Sequence, residues 1–121
     1  MRKLLSILLL LSSLILAQSI GPSNFDRVIK SHKVVLVEFW APWCPGCAML
    51  RPNFLKAKRE IGNKALLVEY NVDLAGEPIR RYNVQTIPTM ILFVDGRVVE
   101  VSKSILSAQD IKDWVLGYVP Q

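Results

Sequence analysis

The chain has 121 residues, which is enough for one domain. Hydrophobic residues make up 51% of it, and charged residues (21%) are interspersed among them, a composition that favours a globular core and excludes a disordered chain. The formal net charge is +5, of which Arg2 and Lys3 supply two charges, leaving +3 on the rest. So small and scattered an excess predicts no nucleic-acid partner.

The N-terminal segment has a pattern of its own. Its positively charged start is followed by an unbroken run of Leu, Ile and Ser over Leu4–Leu16, and then by small residues up to Ser19. This three-part pattern is typical of a secretory signal peptide, and the run is short for a membrane span of about 20 residues. We predict a signal peptide over residues 1–19 and one domain over 20–121. An uncleaved membrane anchor is the alternative.

The first predicted elements are a short helix and a buried strand. Ser23 is a candidate N-cap, with Asp26 three residues on as the acid of a capping box, and the helix should run to about Lys30. Val34–Trp40 is apolar and β-branched except for Glu38. Such a run predicts a strand buried on both faces of a sheet.

A longer helix is predicted after Cys44, ending at Gly62-Asn63. Pro52 lies inside it and cannot donate to the carbonyl of Ala48, so we expect a kink there. The apolar residues of this helix recur at helical spacing: Leu50, Phe54, Ala57 and Ile61.

The remaining elements alternate between strands and helices. We predict strands over Leu66–Val72, Thr89–Val94 and Arg97–Val101, and a short helix over Glu77–Tyr82. Asp95-Gly96 is a strong signal for a hairpin turn. Ser107 and Asp110 form a capping box before a last helix, whose apolar stripe is Ile111, Trp114, Val115 and Tyr118. This order predicts an α/β domain with a central sheet covered by helices on both faces.

The chain has two cysteines, Cys44 and Cys47. A pair three positions apart closes a very short loop and stabilises the fold little, so a reactive pair is the favoured interpretation. An inert disulfide and a zinc site are the alternatives. Zinc usually takes four ligands, and the sequence adds only one histidine, His32.

The positions of the two cysteines along the chain predict a different role for each in disulfide exchange. They lie where a buried strand gives way to a helix, and a helix N-terminus stabilises a thiolate and lowers its pKa. Cys44 would then be the exposed nucleophile that attacks a disulfide, and Cys47 would resolve the mixed disulfide. Pro45 is tolerated because the N–H groups of a first turn have no helical partner.

These residues resemble a known family. Val37–Cys47 looks like the active-site strand and loop of the thioredoxin family, Pro52 matches its kink proline, and Thr86–Thr89 resembles its cis-proline loop. The match extends over residues 23–121. The resemblance implies a thioredoxin-like α/β fold with a central mixed β-sheet and helices on both faces. It also implies reversible exchange through a redox-active Cys44–Cys47 disulfide, without cofactor or metal.

The resemblance also assigns roles around the cysteines. Pro88 should follow a cis peptide bond and face the pair, and the backbone at Ile87 should bind an extended substrate by strand addition. Trp43 should flank the exposed cysteine and contact substrate. The alternatives are a trans turn proline and a purely structural tryptophan. Glu38 is a candidate proton acceptor for Cys47, because burial raises a carboxyl pKa; a structural glutamate reaching solvent is the alternative.

Three departures from the family limit what can be carried over. The Gly-Pro dipeptide of thioredoxins is reversed to Pro45-Gly46, so the direction of electron flow does not follow from the resemblance. Glu69 stands where thioredoxins often have lysine, and two nearby carboxylates would raise each other's pKa. Ser104 replaces a glycine that usually lines the substrate groove, which leaves substrate breadth open.

Together these features predict a monomeric thiol–disulfide oxidoreductase that acts on exported proteins in a periplasmic or other extracytoplasmic space, either soluble or tethered by its N-terminal segment. Reduction is favoured, with a membrane thiol–disulfide partner as electron donor. Oxidation or isomerisation of exported disulfides, with that partner as acceptor, is the first alternative. A non-catalytic binding module that keeps the fold is the second.

Overall fold

The structure, a computed structural model, describes residues 19–121. Its four strands are β1 (Val34–Trp40), β2 (Leu66–Asn71), β3 (Thr89–Val94) and β4 (Arg97–Ser102). Its α-helices are α1 (Phe25–Ile29), α2 (Pro45–Ile61), α3 (Glu77–Arg81) and α4 (Ala108–Leu116). Short 3-10 turns follow α2 and β2, over Gly62–Lys64 and Val72–Leu74. The predicted order of elements is confirmed.

The strands form one mixed sheet in the order β2-β1-β3-β4. β1 pairs with β2 in parallel and with β3 antiparallel, and β3 and β4 form the predicted hairpin. Six of the seven residues of β1 are buried, which explains why its sequence is almost continuously apolar. The active-site loop therefore leaves from a strand in the interior of the sheet.

Helices cover both faces of this sheet, as predicted. α2 and α4 pack on one face, where the predicted stripe of α2 is buried with Ile111 and Val115 of α4. α1 packs on the other face, with partly buried residues from and after α3. Aromatic rings dominate this second layer: Phe25, Phe39, Tyr70, Tyr82 and Phe93. Val34 and Leu36 lie on the α2 side, so the alternation along β1 places Glu38 on that side as well.

The hairpin turn and the last helix form as their sequences predict. Asp95 and Gly96 have φ angles of 52° and 77°, a conformation that aspartate tolerates and glycine adopts freely. Ser107 is the N-cap of α4, and its hydroxyl accepts a hydrogen bond from the backbone N–H of Asp110 at 3.0 Å.

The first helix begins differently from the prediction. Its N-cap is Asn24 rather than Ser23, and no side chain forms a capping hydrogen bond there. The Asn24 amide is used elsewhere: its Oδ1 accepts from the N–H of Gly21 at 2.7 Å, and its Nδ2 donates to the carbonyl of Ser19 at 2.9 Å. The predicted capping box with Asp26 is therefore wrong, because contacts with the preceding segment decide where α1 starts.

Smaller differences occur at the end of β2. The strand stops at Asn71, one residue short of the prediction, because the Asn71 side chain accepts from the N–H of Asp73 at 2.9 Å and starts a 3-10 turn. The predicted signal peptide, but for Ser19, lies outside the described residues. Within residues 19–121, no helix is long and apolar enough to cross a membrane.

Candidate active site

The two cysteines lie at the start of α2, where the chain turns away from the end of β1. Cys44 is the N-cap and Cys47 is in the first helical turn; their Cα atoms are 5.2 Å apart and their sulfurs form a disulfide. Gly46 lets the opposite loop approach closely, since a Cβ there would lie 3.3 Å from Cδ of Pro88. The Pro45-Gly46 dipeptide thus starts the helix and leaves room for the proline loop.

A backbone hydrogen bond distinguishes the two sulfurs. The N–H of Cys47 donates to Sγ of Cys44 at 3.1 Å, so the helix N-terminus points a donor at that sulfur. The same donor would stabilise negative charge on Cys44 after reduction. This contact is what a nucleophilic first cysteine needs.

The accessibility of the sulfurs differs from the prediction. Cys44 is 6% exposed and Cys47 is 3% exposed, so both residues are buried in the disulfide form. The expectation of an openly exposed Cys44 is therefore wrong for this state, because Cys44 packs in a small apolar cluster with Ala41, Cys47 and Ile87. Cys44 remains the more accessible of the two.

The proline loop faces this pair. The peptide bond between Ile87 and Pro88 is cis, and the carbonyl oxygen of Ile87 lies 3.7 Å from Sγ of Cys44. In the disulfide that sulfur carries no proton, so this is a contact rather than a hydrogen bond. The hydroxyl of Thr89 donates to the carbonyl of Thr86 at 2.6 Å and braces the loop. The loop thus places backbone beside the sulfur that would react first.

Trp43 lies on the rim of the site. It is 66% exposed, and its Nε1 donates to Oδ1 of Asp73 at 3.0 Å. Asp73 belongs to the 3-10 turn after β2 and was not identified from the sequence, since thirty positions separate it from Trp43. The indole is therefore held by a hydrogen bond while its apolar surface stays open. Other large apolar residues are exposed as well: Met49, Leu74 and Ile105.

Glu38 is buried beneath the helix. It is 1% exposed, and within the described part of the chain neither carboxylate oxygen has a hydrogen-bond partner. Burial, the main cause, raises the pKa of Glu38 to about 7; the charge of Glu69 acts in the same direction and that of Arg51 opposes it. A structural glutamate reaching solvent is therefore ruled out. At neutral pH this carboxyl can both take up and release a proton.

Glu69 and Arg51 complete the charged surroundings of Glu38. Glu69 on β2 is the register partner of Glu38. Nη1 of Arg51 donates a hydrogen bond to Oε2 of Glu69 at 3.0 Å. Cζ of Arg51 lies 5.2 Å from the ring centroid of Trp40. Sequence reasoning missed Arg51; its spacing of one helical turn from Cys47 was the available signal.

A cleft of about 280 Å³ opens beside the disulfide. Both cysteines, Trp40 and Arg51 line it, together with Ala41, Pro42 and Ala48. Among residues 19–121, no three His, Cys, Asp or Glu side chains group together as metal ligands. The cleft gives a route from solvent to the less accessible cysteine.

A disulfide at a helix N-terminus, opposite a proline loop and above a buried acid, defines a thiol–disulfide oxidoreductase of the thioredoxin fold. The family model described as Thioredoxin matches residues 17–116. The chain belongs to the thioredoxin family, and its pair of cysteines makes it a thiol–disulfide oxidoreductase.

Individual relatives agree with this assignment. Thioredoxin of Bacillus subtilis (strain 168) is 38% identical over 85 residues, which are 70% of this chain and 82% of that protein. Protein disulfide isomerase-like 1-3 of Arabidopsis thaliana is 30% identical over 92 residues, 76% of this chain but 16% of that protein. A solved mutant thioredoxin from Halobacterium salinarum NRC-1 matches with a TM-score of 0.74 and 30% identity, covering 85% of this chain and 89% of that one.

Proposed function

We propose that the chain reduces disulfides of exported proteins with its Cys44/Cys47 dithiol. The observation that carries the exchange chemistry is the position of Sγ of Cys44, between the N–H of Cys47 at 3.1 Å and the carbonyl of Ile87 at 3.7 Å. One contact stabilises a thiolate, and the other places substrate-binding backbone beside it.

The reaction proceeds in two exchanges. The Cys44 thiolate attacks one sulfur of the substrate disulfide, forming a mixed disulfide and releasing the other substrate sulfur as a thiolate. The Cys47 thiol then gives its proton to the Glu38 carboxylate and attacks Sγ of Cys44, which releases the second substrate thiolate. Two electrons pass from the protein dithiol to the substrate, and the Cys44–Cys47 disulfide is the product.

Glu38 supports this assignment as the base for the second exchange. Its pKa near 7 leaves a substantial fraction ionised at neutral pH, when it can accept the proton of Cys47. The cleft opens to solvent beside Cys47, the residue that supplies the proton.

The substrate surface is apolar and takes an extended segment. Trp43 and Leu74 provide exposed apolar surface near the site, and so does Ile105, which lies close to Gly46. An extended strand pairing with the backbone of Ile87 would contact this surface and bring its disulfide to Cys44. This arrangement favours unfolded or locally exposed protein segments over small thiols.

The pattern of the N-terminal segment supports export, and the need of an exported reductant for electrons supports a membrane donor. A signal peptide over residues 1–19, or an anchor in the same place, would put the domain outside the cytoplasm, where disulfides form. A reductant there needs electrons, for which a membrane thiol–disulfide partner is the proposed source. Each mixed disulfide uses one copy of the site, so a monomer suffices.

Oxidation or isomerisation is the second candidate, and one comparison favours it. The chain is similar to a protein disulfide isomerase-like protein as well as to thioredoxins. The reversed Pro45-Gly46 dipeptide leaves the potential open. A non-catalytic module is set aside, because the family and the intact pair define an oxidoreductase.

The reduction potential of the Cys44–Cys47 pair tests the direction. Purified protein is equilibrated with glutathione buffers, and the fraction of oxidised protein is followed by thiol labelling. A value near that of thioredoxins, about −270 mV, supports the reductase, whereas a value near about −180 mV or above supports the oxidase or isomerase. The second result would contradict the proposed direction and leave the exchange chemistry standing.

A further inference from the structure

Arg51 occupies a position between the charged core of the site and the cleft beside the cysteines. Its guanidinium is held on one side by Oε2 of Glu69 at 3.0 Å and on the other by the Trp40 ring at 5.2 Å. It also lines the cleft with Cys47, one helical turn away on α2. Two directional contacts thus fix a positive charge at the mouth of the site.

Glu38 and Glu69 are direct neighbours beneath that charge. They are register partners on the parallel strands β1 and β2, so their side chains leave the same face of the sheet, about 5 Å apart at the backbone. The Glu38 carboxylate is buried without a hydrogen-bond partner, whereas Glu69 is 20% exposed and paired with Arg51. Two carboxylates so placed repel each other when both are ionised.

We infer that Arg51 is a positioning residue for the second exchange: through its ion pair with Glu69 it lets Glu38 ionise and so accept the proton of Cys47. With Arg51 present, ionised Glu38 and Glu69 share one positive charge. Without it, Glu38 would have to ionise beside an uncompensated carboxylate. This inference rests on the proposed role of Glu38 as proton acceptor.

The bond changes are those of the resolving step already given. The Cys47 S–H bond breaks and its proton goes to the Glu38 carboxylate; the sulfur–sulfur bond between Cys47 and Cys44 forms, and the bond from Cys44 to substrate breaks. Arg51 exchanges no proton and no electron. Its effect is electrostatic, and it acts on the equilibrium between protonated and ionised Glu38.

The other elements packed around Glu38 bring no further charge to it in the described structure. Its partner on β3 is Met90, and α4 contributes Ile111 and Val115 to that face. β2 contributes Glu69, and α2 contributes Arg51. The Arg51–Glu69 pair therefore supplies the nearby charges that determine how readily Glu38 ionises.

Two substitutions with opposite signs test the inference. Arg51→Met removes the positive charge and should move the pH midpoint of Glu38 upward, whereas Glu69→Gln removes the neighbouring negative charge and should move it downward. The double variant should lie near the wild type. Arg51→Lys keeps the charge and should retain most of the effect. Arg59→Met, an exposed arginine two turns further along α2, is the matched control and should match wild type.

Two measurements are combined. First, the pH titration of Glu38 is followed by NMR of its carboxyl carbon in the oxidised protein. Second, reduced protein is mixed with a peptide disulfide in a stopped-flow instrument, and the phase whose rate does not depend on peptide concentration reports resolution of the mixed disulfide. We expect Arg51→Met to resolve roughly three- to tenfold more slowly near pH 7 and to recover at higher pH. The first, concentration-dependent phase should change less.

Glu38→Gln separates the two ways in which the inference can fail. If Glu38→Gln slows resolution but the Arg51→Met profile coincides with that of Arg59→Met, the inference about Arg51 is wrong and the proposed role of Glu38 stands. If Glu38→Gln leaves resolution unchanged, the proton-acceptor role fails and the inference fails with it. Coincident NMR titrations of Glu38 in Arg51→Met and Glu69→Gln would also overturn it.

Discussion

The two cysteine sulfurs differ in the atoms around them, and this difference predicts which one binds substrate. Sγ of Cys44 accepts a hydrogen bond from the N–H of Cys47 and faces the carbonyl of Ile87. Cys44 is also the more exposed residue of the pair. Cys47→Ser should therefore accumulate mixed disulfides through Cys44, because nothing remains to resolve them. Mass spectrometry of trapped complexes identifies the linked residue. Complexes through Cys47 in Cys44→Ser, with none through Cys44 in the reciprocal variant, would reverse the assignment.

A second prediction concerns the kinetics of Glu38→Gln. The substitution keeps the shape of the side chain and removes the base, so it should slow resolution of the mixed disulfide more than the initial attack by Cys44. Stopped-flow kinetics between about pH 6 and pH 9 separate the two steps. An unchanged resolution rate over that range would show that Glu38 is not the proton acceptor.

The same residue makes stability depend on pH. The carboxyl of Glu38 titrates at about 7 in the folded chain against 4.5 without the fold. Below the lower value both states are protonated and burial carries no charge penalty. Between the two values the unfolded state loses its proton first, so stability falls as pH rises, by about 3 kcal/mol in total. About one pH unit above 7 the carboxyl is ionised in both states, and stability no longer changes through this group.

Glu38→Gln should remove this dependence. Its gain in unfolding free energy over wild type should grow by roughly 3 kcal/mol between about pH 4 and pH 8. Denaturant unfolding with the disulfide intact measures it, and contributions from groups that do not interact with Glu38 cancel in the difference. A difference that stays constant with pH would mean that the Glu38 carboxyl is hydrated in the folded protein.

Among the elements, α4 offers a direct test of local sequence signals. Ser107 caps this helix by accepting from the N–H of Asp110. Ser107→Ala leaves that donor without its side-chain partner and should lower the free energy of unfolding by about 1 kcal/mol, whereas Ser107→Asn keeps a capping oxygen and should cost little. Thermal unfolding of both variants checks this. A Ser107→Ala variant as stable as the wild type would show that the cap contributes nothing.

Elements specified by local pattern were predictable from the sequence. β1 and α2 follow from an apolar run and from helical spacing, and the hairpin follows from Asp95-Gly96. The start of α1 was not predictable, since Ser23 and Asn24 are both good N-caps and the choice depends on contacts with Ser19 and Gly21.

The candidate site divides in the same way. The cysteine pair, Trp43 and Pro88 carry local motifs, so the sequence indicates them. The partnership of Glu69 with Arg51 depends on the parallel register of β1 and β2 under α2, and the bond from Trp43 to Asp73 depends on where β2 ends. Both interactions depend on contacts between segments that are distant in the sequence, so neither segment alone predicts them.

For the whole molecule, the structure shows where the described fold begins relative to the predicted cleavage site. Ser19 is exposed, but its carbonyl accepts from Asn24, and Ile20 is buried with Phe25 and Val28 in the layer formed by α1. A peptide bond so close to a packed residue is poorly accessible to a protease once the domain has folded. Cleavage after Ser19 would therefore have to precede folding, whereas cleavage after Ala17 leaves two residues before the core.

Export can be tested on this basis. Mature protein should begin at Ile20 or Gln18 and be found outside the cytoplasm, as measured by N-terminal sequencing or intact mass after fractionation. Slowing cleavage with a bulky residue at Ala17 (Ala17→Trp) should retain the N-terminal segment and shift the protein to the membrane fraction, while Gln121→Ala, at the far end of the chain, serves as control. Full-length wild-type protein in the membrane fraction would favour the anchor. Cytoplasmic protein retaining Met1 would contradict both the signal peptide and the anchor, and with them the proposal that the substrates are exported.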